Sequence, residues 1–116
     1  ACLSMKGDAL RGHLDLLVLQ VLADNPMHGY AIIEELKRRS GQALEVPEGT
    51  LYPVLHRLER DQLLEATWAE VNGRRRKSYR LNQRGIAALH ERRSGWTDFR
   101  AAVDSVLGAH PRATTT

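Results

Sequence analysis

The stretch Glu48-Gly49-Thr50-Leu51-Tyr52-Pro53-Val54-Leu55-His56-Arg57-Leu58-Glu59-Arg60-Asp61 decides the fold. Leu51, Val54, Leu55 and Leu58 recur at helical spacing and mark one buried face. Thr50, Tyr52, Pro53, His56, Arg57 and Arg60 are left for the other side. Pro53 limits where the helix starts, because proline has no N–H to donate inside a helix. It belongs in a first turn, which predicts an N-cap near Gly49 or Thr50. Threonine is a good capping type. For each polar residue the plain alternative is solvated surface, for Tyr52 a half-buried core tyrosine, and for Arg60 a local pair with acidic neighbours.

Upstream, Leu10, Leu14, Leu17, Val18, Val21 and Leu22 form one apolar face of a helix that begins near Asp8. Leu16 and Leu19 widen that face, which predicts two packing partners, the chain's own domain and a second subunit. Asn25-Pro26 ends this helix, since the residue before proline avoids helical dihedrals. A second helix starts near His28-Gly29, with Ile32, Ile33 and Leu36 inward and Gly41 as its C′ glycine.

Downstream, the period changes from 3.6 to 2. Leu64, Ala66 and Trp68 alternate with polar neighbours, and Asn72-Gly73 is a hairpin-turn pair. Lys77, Tyr79 and Leu81 alternate in a second strand. A basic run, Arg74-Arg75-Arg76-Lys77, sits at the tip of this hairpin. Asn82 caps a last helix that runs to about Gly108. In it, Leu89, Trp96 and Val103 fall at heptad position a, and Phe99 and Val106 at d, with Arg92 the exception. So short a seam needs a partner. A homodimer through Leu10, Leu14, Leu17, Leu89, Trp96, Phe99, Val103 and Val106 is expected.

The chain has 116 residues, which fits one domain of the usual size. Its net charge is +3 and its pI about 9.4. Residues 47–85 carry eight basic and five acidic groups, so the excess sits in the middle third. With 42% hydrophobic and 27% charged residues the chain should fold. Its one cysteine, Cys2, excludes an internal disulfide framework and fits a reducing cytosol. No apolar run approaches the ~20 residues that span a bilayer, and no signal peptide is evident. A cytoplasmic location is expected. The five histidines are dispersed, so no metal site is expected. No cofactor motif and no catalytic constellation occurs, and adjacent Glu34 and Glu35 diverge on their helix.

The element order is helix, helix, helix, β-hairpin, long helix. That predicts a mainly α fold with a small β-hairpin (α+β): a winged helix-turn-helix at 8–81 and a dimerisation helix at 82–108. Residues 1–7 and 109–116 are read as flexible ends. In this motif the third helix enters the major groove of double-stranded DNA, and the hairpin, or wing, meets the backbone. Tyr30, Thr50, Tyr52, Pro53, His56, Arg57, Arg74, Arg75, Arg76 and Lys77 are the candidate DNA-binding residues.

These residues match a known pattern. Leu17–Leu22 followed by Pro26-Met27-His28-Gly29-Tyr30, then Gly49-Thr50-Leu51-Tyr52-Pro53, then Arg76-Lys77-Ser78-Tyr79-Arg80-Leu81 with Gly85, stand in order at coherent spacing. The chain resembles the PadR-like transcriptional regulators, in particular the short branch with a single C-terminal helix. The resemblance covers residues 10–85, about two thirds of the chain. Asn82 departs from the threonine usual there, and both are capping types. The resemblance implies a dimeric repressor on an inverted-repeat operator. It puts Thr50, Tyr52, Pro53 and His56 on the recognition helix, Arg75, Arg76 and Lys77 on the wing, and Tyr30 near the DNA-facing surface.

Trp96 follows Ser94-Gly95, where the wall is thin, and its π face suits one side of a pocket for a flat aromatic or cationic effector. Phe99 would line the same pocket or fill the seam. Some members of the resembled family bind such ligands between paired C-terminal helices. The competing function is a winged-helix protein-interaction module without specific DNA binding. Basic His56, Arg57 and Arg60 on the third helix argue against it.

Overall fold

The computed structural model describes residues 13–108. Its elements are α1 (Leu14–Asp24), β1 (Met27–His28), α2 (Gly29–Arg39), α3 (Glu48–Arg60), β2 (Leu64–Val71), β3 (Arg74–Leu81) and α4 (Gln83–Leu107). This is the expected winged helix-turn-helix, with α2 and α3 as the turn pair and β2–β3 as the wing. Leu10, Cys2, the helical pattern from Asp8 and both expected flexible ends lie outside the described residues.

One core joins the elements. Leu14, Val18 and Leu22 of α1, Ile32 and Leu36 of α2, and Leu51, Leu55 and Leu58 of α3 are buried together with Tyr79 and Leu89. Truncating any of these leucines to alanine costs about 2–5 kcal/mol. Ion pairs fasten the end of α1 to α2. Arg39 donates to Asp24 Oδ2 at 2.6 Å and to Glu35 Oε2 at 2.7 Å. Gly41 takes φ 62°, as a C′ glycine does.

The sheet has three strands, in the order β1-β3-β2, all antiparallel. The sequence predicts only two. Two residues are too few to show a period, and β1 is a strand only because Met27 and His28 pair with Tyr79 and Ser78. The turn at Asn72-Gly73 has φ 53° and 78°, as a type I′ hairpin requires.

The start of α3 differs from expectation. The helix begins at Glu48, with Pro47 as N-cap, and the Pro47 carbonyl accepts from both Thr50 and Leu51 at 3.0 Å. Thr50 is therefore inside the first turn. Pro53 lies one turn deeper than predicted, where it denies Gly49 its usual helical donor. Gly49 is exposed, which leaves that carbonyl on the solvent side of the helix.

Asn82 caps α4 as predicted. Its Oδ1 accepts from Gly85 N at 2.8 Å, and its Nδ2 donates to the Gln62 carbonyl at 2.8 Å. Gly85 is required by contact, since a Cβ there would lie 2.2 Å from the Leu63 carbonyl oxygen. Beyond Leu89 the helix leaves the core. Trp96, Phe99 and Val106 are exposed, Val103 is half-buried, and the molecule extends to 63 Å along its long axis. Leu14 and Leu89, expected between subunits, are covered by the chain's own core, while Leu17 is half-buried. An apolar heptad position does not distinguish these two destinations. No described helix is long and apolar enough to cross a membrane.

Candidate nucleic-acid interface

Helix α3 presents three sides. Its buried side is the leucine face. Its most exposed side is the stripe Gly49, Pro53, His56 and Arg60, spaced at i, i+4, i+7 and i+11. Arg60 comes no closer than 4.0 Å to Asp61 and extends into solvent. The two flanks are engaged within the molecule. On one, Tyr52 lies half-buried against Gly29 at the start of α2, where a Cβ would come 2.4 Å from the phenol oxygen. On the other, Arg57 pairs with Asp15 of α1, and Arg92 of α4 donates to the second oxygen of the same carboxylate at 3.1 Å.

Arg57 was expected on the open side with His56. It instead turns toward α1, because Asp15 sits opposite it, a pairing across 42 residues that no local pattern reveals. Thr50 is half-buried on this same flank, and Glu48 already supplies the negative charge that the helix N-terminus favours.

The wing's basic run divides between two faces. In register, Leu64, Ala66, Trp68 and Glu70 stand opposite Leu81, Tyr79, Lys77 and Arg75, which share the face turned toward the helices. Arg74, Arg76 and Arg80 point the other way. Lys77 reaches back to α3, donating from Nζ to Glu59 Oε1 at 2.9 Å. That bond raises its pKa, and burial raises that of the Tyr79 phenol beside it. Arg80 is paired with Glu65 across the strands at 2.7 Å. Among the described residues Arg74, Arg75 and Arg76 have no carboxylate partner. Arg75 lies instead over the ring of exposed Trp68, 4.5 Å from its centroid.

Tyr30 is 56% exposed at the start of α2. His28, next to it, has its pKa lowered by partial burial and then by the charge of Arg76, both of which favour the neutral ring. Thus Tyr30, Pro53, His56 and the three arginines are open, whereas Tyr52, Thr50, Arg57 and Lys77 are drawn inward to differing extents. Arg60, expected on the open side, completes the stripe at i+4 from His56. Trp68 is the one feature of this surface that the sequence reading did not single out. Trp68 follows the strand alternation, but its face extends past the helices into solvent.

A second feature lies between α1 and α4. An open cleft of about 650 Å³ is lined by His13, Asp15, Arg57, Arg92, Trp96 and Phe99 among others. His13 meets Trp96 edge-on, 5.3 Å between centroids at 67°, and Trp96 leans on Phe99 at 6.1 Å.

The model of the transcriptional regulator PadR-like family matches residues 18–91, more than half of the chain. A Mycobacterium tuberculosis protein named a transcriptional regulator is 45% identical over 83 residues, which are 72% of this chain and 75% of that protein. An uncharacterised protein of Lysinibacillus sphaericus is 34% identical over 86% of this chain and 93% of its own length. Among solved structures, a PadR family transcriptional regulator from Eggerthella lenta superposes with a TM-score of 0.77 at 32% identity. It covers 86% of each chain.

Proposed function

The chain belongs to the PadR-like family of transcriptional regulators, and from that premise we propose that it is a dimeric repressor of a bacterial promoter. The proposal covers its cytoplasmic setting, an inverted-repeat operator and release by a small-molecule effector. The observation that carries it is the open, basic character of both α3 and the wing. On α3 the stripe Pro53, His56 and Arg60 is exposed. On the wing, which Lys77 ties to α3 through Glu59, Arg75 on one face and Arg74 and Arg76 on the other have no carboxylate partner among the described residues. An exposed helix stripe and uncompensated cations suit a duplex, where phosphate contacts position and base contacts specify. Tyr30 supplies a further phosphate donor, and Tyr52 and Thr50 shape the flanks of the reading helix.

The exposed apolar residues of α4 suit pairing with a second copy. Trp96, Phe99, Val103 and Val106 would cover one another across a two-fold axis. The DNA-reading unit would then end at Leu81 and the dimerisation helix follow it. Trp96 and Phe99 would line the effector cleft. That cleft has aromatic walls and both signs of charge, which suits a flat aromatic or cationic compound.

Selection of bound duplexes from a random pool at physiological salt tests this reading. A two-fold symmetric motif is the expected result. Flat enrichment would move the function to a protein-interaction module. Replacing Arg74, Arg75 and Arg76 with alanine should weaken binding to every sequence and lower the slope of log affinity against log salt by about three, near 0.9 per phosphate.

A further inference from the structure

We propose that Trp68 is a positioning residue of the wing: its indole face holds the Arg75 guanidinium so that its N–H edge is presented to a DNA phosphate. The proposal rests on the DNA-binding reading above. The register puts Glu70, not Trp68, directly opposite Arg75. A glutamate there is the ready ion-pair partner, yet the guanidinium lies over the diagonal neighbour, 4.5 Å from the Trp68 centroid. The difference matters chemically. A salt bridge would consume N–H donors and cancel the charge. Stacking leaves the charge uncompensated and the in-plane donors free, while it restricts a side chain that otherwise has many rotamers.

Trp68 has no competing structural duty of comparable weight. It is 55% exposed, well outside the buried core. On the same face, Lys77 Nζ lies 5.8 Å from the Trp68 ring and 5.3 Å from that of Tyr79 while bonded to Glu59. Lys77 thus fixes the base of the wing to α3, and Trp68 carries that order outward to Arg75. A phosphate excludes water as it arrives, and a cation–π contact strengthens with desolvation.

The test uses the full chain with a labelled duplex, by anisotropy over a range of salt. Trp68→Leu keeps apolar bulk without the π face, and Arg75→Lys keeps the charge without the planar fork. Each should weaken binding about threefold to tenfold. The double variant should be no weaker than the worse single, because both remove one arrangement. Trp68→Tyr should restore most of the loss. Trp68→Leu should also lower the salt slope toward that of Arg75→Ala, a change a merely structural tryptophan would not produce. Three outcomes overturn the proposal: Trp68→Leu binding like wild type, losses that multiply in the double variant, or Arg75→Lys matching wild type. The last decides the matter even if Trp68→Leu folds poorly. A wild type that binds no duplex overturns the DNA reading itself, and this proposal with it.

Discussion

Asp15 and Arg57 form an ion pair that ties α1 to α3, and the same carboxylate takes Arg92 from α4. Three helices therefore meet at one charge. Asp15→Asn would leave two guanidinium groups facing each other without it. Arg57 keeps 41% of its side chain exposed, so solvent screens the pair, and the expected loss is about 1 kcal/mol, not several. Thermal unfolding should fall by about 4–8 °C, and the gap should narrow at high salt as screening grows. An unchanged melting temperature at low salt would refute this role.

Two glycines should respond differently to alanine. At Gly85 the new Cβ meets a backbone carbonyl at 2.2 Å, which cannot move without shifting α4. The expected cost is at least about 2–3 kcal/mol. At Gly29 the obstacle is the end of the Tyr52 ring, which can swing away. Gly29→Ala should cost less stability than Gly85→Ala but should displace Tyr52, weakening DNA binding. Denaturant titration beside a binding assay separates the two.

Lys77→Met should behave unlike the loss of an arginine from the same run. Lys77 is committed to Glu59 at 2.9 Å, so its removal should cost about 1 kcal/mol and loosen the wing. Faster amide exchange in β3 would report that loosening. The salt slope for DNA should hardly change if the bond to Glu59 keeps this ammonium from a phosphate. A fall of about one unit would show that it reaches one.

Glu35 accepts hydrogen bonds from Arg38 and Arg39, which lower its pKa from 4.5 to about 2. A depressed carboxyl pKa contributes stability that is full above the unfolded value and is lost as pH falls through the folded one. The α2 contribution should therefore survive at pH 5 and disappear between about pH 4.5 and 2. An NMR titration of the Glu35 carboxyl carbon with a midpoint near 4 would contradict this.

The helices and the hairpin were legible in the sequence because each rests on a local signal. Leucine spacing marked α1 and α3, and Asn72-Gly73 with Gly41 gave the turns. What was not legible depends on distant partners. β1 is defined by Tyr79 and Ser78, fifty residues away. Arg57 and Lys77 read as free cations until Asp15 and Glu59 appear beside them. At the start of α3, the capping tendency of Thr50 yielded to the extended Pro47 carbonyl. Leu89 and Trp96 share a heptad position, yet one is buried in the core and the other sits exposed in the open cleft against α1.

The shortness of β1 has a consequence for how the molecule stays apart from its own kind. It covers β3 only at Tyr79 and Ser78. From Arg74 to Lys77, β3 pairs with β2 alone, leaving a bare strand edge that is a template for another chain. Four consecutive cations occupy that edge and repel an approaching copy. Neutralising the wing would therefore cost solubility as well as affinity, and the two losses would arrive in the same variant.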